Sequence, residues 1–114
     1  MGMDLVRRRD SIKWQCSNQL WIYIIDSAQM SGWKPLGIKY QDDFDVTDPL
    51  DYYTNNGQTV TPEDSENLHL SLVKFIKEKN PKGIEKEIIK DLLNWLVRRN
   101  DDNSVMDIPG FIIR

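Results

Sequence analysis

The sequence predicts a helix-rich α+β fold, with three main helices and a small β-hairpin or short sheet. Three observations carry that expectation. Two stretches after Thr61 repeat apolar residues at helical spacing between recognisable start and stop signals. An aromatic stretch before Gly32 has the same spacing. Short β-branched runs gather around an Asn-Gly dipeptide and at the C-terminal end.

The first helix is expected over residues 11–30, "SIKWQCSNQLWIYIIDSAQM". Trp14, Trp21, Ile25 and Ala28 fall on one helical face, and Leu20 and Ile24 widen it. The run "LWIYII" would also suit a buried strand, because a short apolar run does not fix its own period. Length and polar flanks favour the helix. Ser31-Gly32 ends it, since glycine enters the left-handed region without a Cβ clash.

Residues 32–60 are too many for a structureless connection in so small a domain. "GIKY" and "GQTV" are therefore expected as short strands, with Asn56-Gly57 as a hairpin turn. A second helix follows. Thr61 is its N-cap, Pro62 its first residue, and Glu63 and Asp64 suit the positive end of its dipole. Thr61 and Asp64 resemble a capping box with aspartate in place of glutamate. Leu68, Leu72, Phe75 and Ile76 form the inward stripe, and Asn80-Pro81 with Gly83 ends the helix.

The third helix, "IEKEIIKDLLNWLVRRN", places Ile88, Leu92, Trp95 and Leu96 on one face, flanked by Ile84, Ile89 and Leu93. Arg98 and Arg99 are expected in its last turn, near the negative end of the dipole. The tail runs polar, turns at Pro109-Gly110 and ends in "FII", read as a strand or extended segment docked on the core.

A chain of 114 residues is expected to form one domain, 1–114. With 39% apolar and 29% charged residues, it has the composition of a soluble globular protein. The formal net charge of -3 disfavours a polyanionic partner, so nucleic acid is not expected. The cluster Arg7 to Arg9 is short and reads as a solvated end. A single cysteine, Cys16, excludes an intrachain disulfide and points to the reducing cytoplasm. Asp10, Ser11 and Lys13 stand where a signal peptide would need an apolar run. Val6 stands where a myristoylation motif would need a hydroxyl, so no membrane partner is expected.

Catalytic and metal motifs are incomplete. An EF-hand loop starting at Asp43 would need glycine where Asp48 stands and glutamate where Thr54 stands. "GWKPLGIK" lacks the lysine and hydroxyl residue of a phosphate-binding loop after its second glycine. Cys16 and His69 fall on separate expected helices, Cys16 as a small buried hydrophobe and His69 as a boundary residue. His and Cys are too few for zinc. No cofactor and no metal is expected.

Tyr52, Tyr53, Asn55, Asn56 and Gln58 are large amphipathic or amide side chains around a turn, a mixture that binding surfaces use. They also have structural uses: a tight turn, backbone satisfaction, and a tyrosine packed on the next helix. "GWKPLG" at 32–37, "YYTNNGQTVTPED" at 52–64 and the C-terminal "GFII" resemble a group of small, uncharacterised bacterial proteins. Their pattern is an aromatic helix, G-W-x-P-x-G, a tyrosine before N-x-G-Q-x-V, an acidic helix start and a final G-F-x-I. The matching positions are Trp33, Pro35, Gly37, Tyr53, Asn55, Gly57, Gln58, Val60, Asp64, Gly110 and Phe111. Ile38, Ser65 and Pro109 depart from the group's usual threonine, alanine and glycine. The resemblance brings no activity. It implies that the turn, the helix cap and the C-terminal segment form one structural device.

The expected function is a cytoplasmic protein-interaction domain, immunity-like or regulatory, that meets a protein partner or its own copy through an acidic, aromatic central region. Its candidate binding residues are Trp33, Asp43, Asp45, Tyr53, Asn55, Gln58 and Asp64. The competing expectation is a small-ligand-binding protein or enzyme with a polar pocket around Tyr53, Asn55, Gln58 and Asp64, closed by Trp33.

Overall fold

The computed structural model describes residues 2–35, 52–53 and 57–114. In chain order the elements are β1 (Gly2–Arg7), β2 (Lys13–Ser17), α1 (Asn18–Met30), β3 (Thr59–Val60), α2 (Pro62–Lys79), α3 (Gly83–Leu96), β4 (Arg98–Arg99), β5 (Val105–Asp107) and β6 (Phe111–Ile113). The fold is a helix-rich α+β arrangement. Four antiparallel strands run in the order β2-β1-β6-β3, and β4 and β5 form a separate two-stranded ribbon.

Residues 11–17 do not belong to the first helix. Trp14 and Cys16 face inward while Lys13, Gln15 and Ser17 face out, so this segment alternates as a half-buried strand, and helix α1 begins only at Asn18. Ser17 is the hinge between the two states. Its extended backbone closes β2, and its Oγ accepts from the Leu20 N–H at 3.2 Å as the N-cap of α1. The partner strand β1 alternates in the same way, with Met3 and Leu5 inside and Gly2 and Asp4 outside.

Helix α2 has the expected ends. The Thr61 Oγ1 accepts from the Asp64 N–H at 3.2 Å, Pro62 opens the helix, and Asn80 closes it at φ 48. Helix α3 is shorter than its sequence pattern. Val97 has extended backbone, so Arg98 and Arg99 lie in β4 rather than in a last helical turn. Ile84 is 70% exposed and contributes nothing to the core face.

The sheet's inner face and the helices share one apolar cluster. Phe111 is its centre, packed edge-on against Trp21 of α1 at 6.2 Å and against Trp95 of α3 at 5.5 Å. "FII" is thus a strand, β6, with β1 on one side and β3 on the other. "GQTV" contributes Thr59–Val60 to that sheet, whereas "GIKY" and Asn56 lie outside the described residues.

Gly57 serves β3 as a bulge. Its N–H donates to the Ile113 carbonyl at 2.7 Å while the Ile113 N–H donates to the Gln58 carbonyl at 2.9 Å, so two residues face one, with Gly57 at φ 80. Gly110 is more constrained still. It has φ 82, and a Cβ there would lie 2.5 Å from the Val60 carbonyl oxygen and 3.0 Å from the Pro62 nitrogen. Gly57 and the α2 cap therefore both lie against the C-terminal strand segment. No helix among the described residues is long and apolar enough to cross a membrane.

Gly110→Ala is expected to lower stability by about 2 kcal/mol or more, because the added methyl meets main chain that has no room to yield. Thermal denaturation should show a fall in Tm of several degrees; a Tm unchanged from wild type would contradict the close packing at this junction.

Candidate functional site

Of the residues singled out in the sequence, Trp33 and Asp64 meet, inside the molecule and through Tyr52. Trp33 lies just past the end of α1, where its N–H donates to the Ala28 carbonyl at 2.9 Å. Its indole stacks on Tyr52, with centroids 6.0 Å apart and planes 16° from parallel. The Trp33 Nε1–H donates to the Asp64 main-chain carbonyl at 3.2 Å, and the Tyr52 hydroxyl donates to the Asp64 carboxylate at 2.7 Å. A third bond comes from α1, where the Trp21 Nε1–H donates to the Tyr52 carbonyl at 2.8 Å.

Trp33, Tyr52 and Asp64 are all buried, and Gln58 is buried beside the bulge. Burial, reinforced by the Asp64 carboxylate, pushes the Tyr52 hydroxyl well above the usual tyrosine range. It is a fixed donor. Asp64 sits in the first turn of α2, where the helix dipole favours its negative charge.

Tyr53 belongs to a different, half-buried contact. Its hydroxyl donates to the Asp26 carboxylate of α1 and, at 3.3 Å, to the Gln29 side-chain oxygen. Burial first, and Asp26 second, push it up to about 12. Asp43, Asp45 and Asn55 lie outside the described residues. The sequence-based selection named Tyr53 and passed over Tyr52. The available signal was the reading of one tyrosine as packed on the following helix, which fits Tyr52 against Asp64.

The remaining sequence candidates have structural surroundings. Cys16 lies on β2, not on a helix, and burial pushes its thiol up to about 11, away from the thiolate that a nucleophile or metal ligand needs. His69 is half-buried on α2, and burial together with Arg99 lowers its pKa. Among the described residues no group of three or more His, Cys, Asp or Glu is placed to hold a metal ion.

The basic cluster divides. Arg7 is not a solvated end: its side chain is buried, and Nη1 donates to the carbonyls of Trp95 at 2.7 Å and Val97 at 2.9 Å, capping the end of α3. The other side of its guanidinium binds the Asp10 carboxylate. Arg98 ties Asp10 to Asp107, and Arg9 reaches Asp107 at 3.5 Å. These pairs join the β1–β2 turn to the β4–β5 ribbon.

No family model matches the chain, and no curated protein or solved structure does either.

Tyr52→Phe should destabilise the protein by about 1–3 kcal/mol, since it removes a buried donor from a buried carboxylate. Tyr53→Phe, in a half-buried contact that solvent reaches, should cost less than about 1 kcal/mol. Chemical denaturation of the two variants reads the difference, and equal losses would contradict the distinct burial of the two tyrosines. A second expectation concerns acid. The hydrogen bond from Arg7 holds the Asp10 carboxyl below its ordinary 3.8, so its stabilising contribution is complete above about pH 4 and disappears as pH falls through the lower folded value. The Tm gap between wild type and Asp10→Asn should be flat from pH 5 to 8 and narrow below about pH 4; a gap that widens in acid would reverse the sign.

Proposed function

We propose that this chain is a cytoplasmic protein-interaction domain, immunity-like or regulatory, that recognises a basic protein partner through its acidic 36–51 segment. Supporting this is the way the ends of that stretch are held. Trp33 and Tyr52 are far apart in sequence yet stacked on each other, and both are fastened to Asp64. The residues that flank the acidic segment in the sequence thus meet in one buried clasp.

The charge lies in the same stretch. Residues 36–51 hold five aspartates and one lysine, a formal charge of -4, whereas the whole chain carries -3, so everything else together carries +1. An excess of one sign on one short segment steers association with a partner of the opposite sign. Asp43 and Asp45 are central in that run. The buried position of Trp33, Gln58 and Asp64 fits a frame better than a contact surface, and the single cysteine fits a reducing compartment.

Affinity capture from native lysate should retain a basic protein on the wild type and lose it on Asp43→Lys/Asp45→Lys, with capture weakening as salt rises above about 0.15 M. The variant keeps the Trp33–Tyr52–Asp64 clasp and should melt at the wild-type temperature. Equal capture by both forms, or none by either, overturns the assignment.

A further inference from the structure

We propose that the edge of β2 left unpaired among the described residues pairs antiparallel with β2 of a second copy of this chain, centred on Gln15, joining two four-stranded sheets into one. Strand β2 ends the order β2-β1-β6-β3, and no described strand lies beyond it. The hydrogen-bond parity shows which main-chain groups are available. The Arg7 N–H donates to the Ile12 carbonyl, so Ile12, Trp14 and Cys16 direct their polar groups towards β1. Asp4 and Arg114 exchange bonds on the far side of β1, in the same alternation. Lys13 and Gln15, with the Ser17 N–H, consequently face outward.

This edge has few of the devices that blunt edge strands. It has no proline and no bulge, and its five residues pair with β1 in unbroken register from Gly2–Ser17 to Val6–Lys13. Lys13 is its one charge. Only the alignment centred on Gln15 overlaps all five residues of the strand with its copy. In that alignment Gln15 meets Gln15 of the second copy, and Lys13 meets Ser17.

The side chains on the outer face suit that register. Ser17 lies beside Gly2, and Gln15 beside Asp4. The small residues leave a shallow, open depression lined by Gly2, Asp4, Gln15, Cys16 and Ser17. Lys13 of one copy passes over Ser17 of the other into this depression, within side-chain reach of the exposed Asp4. The twofold axis repeats the pair, as an isologous interface requires. Centring on Lys13 would instead set like charges against each other.

The test is the mass in solution by light scattering at about 100 µM and on dilution. Wild type should have the mass of two chains. Gln15→Pro removes an N–H that faces away from β1, so it should fold, as judged by circular dichroism, and have the mass of one chain. Lys13→Asp should weaken dimerisation about fivefold or more, through two symmetric ion pairs, and adding Asp4→Lys should restore it. A wild type that stays a single chain up to about 1 mM overturns the proposal. A dimer that survives Gln15→Pro overturns it equally. If the proline variant does not fold, the outcome rests on the charge pair: failure of Asp4→Lys to rescue Lys13→Asp rejects this interface.

Discussion

The last strand of the chain closes the sheet from the middle, and it can do so only because residue 110 has no side chain. β1 and β3 do not pair with each other; each pairs with β6. For β6 to reach its place, the chain must pass against the junction of β3 and α2 at a separation that leaves no room for a Cβ. Behind that passage, Phe111 enters between Trp21 and Trp95, so one ring joins α1 and α3 to the sheet. The pairing of residues so distant in sequence is costly in chain entropy until the apolar contacts form. A sheet edge, a helix cap and the core thus depend on one junction.

A second constraint is polar. Asp64 is fully buried, and burying a carboxylate is unfavourable unless donors surround it. Tyr52 supplies one donor to the carboxylate, the α2 dipole favours the charge, and Trp33 occupies the carbonyl of the same residue. Apolar contacts alone would tolerate several placements of two aromatic rings. The directed bonds select one, because a displaced ring would leave a buried polar group without its partner.

Legibility in the sequence followed the range of the signal. Helix α2 was readable because Thr61, Pro62 and Asn80 act within a few residues of the ends they define. The start of α1 was not, because Trp14 continues the 3.6-residue spacing of Trp21 and Ile25 while also fitting the two-residue alternation of Trp14 and Cys16. Pairing with β1 decided between the periods, and that is tertiary information. Arg7 read as solvent-facing for the same reason: the carbonyls it caps lie at the far end of the chain. The β4–β5 ribbon rests on a turn in which Asp102 accepts from the Ser104 N–H, a local signal within a tail read only as polar. At the candidate site the sequence marked Trp33, Gln58 and Asp64 by residue type, and type does not reveal burial.

The placement of charge separates frame from segment. Within the described fold the principal ion pairs are local and reciprocal: Arg7 with Asp10, and Arg98 and Arg9 with Asp107. Opposite charges held this close leave little field beyond a Debye length of about 8 Å at physiological salt. The surplus aspartates of 36–51 have a single lysine among them. Trp33 and Tyr52, which flank that segment in the sequence, are stacked on each other and bonded to Asp64. Trp33, Tyr52 and Asp64 resemble a binding site by residue type, but being buried they use their polar groups on one another and hold the end of α1 against the start of α2.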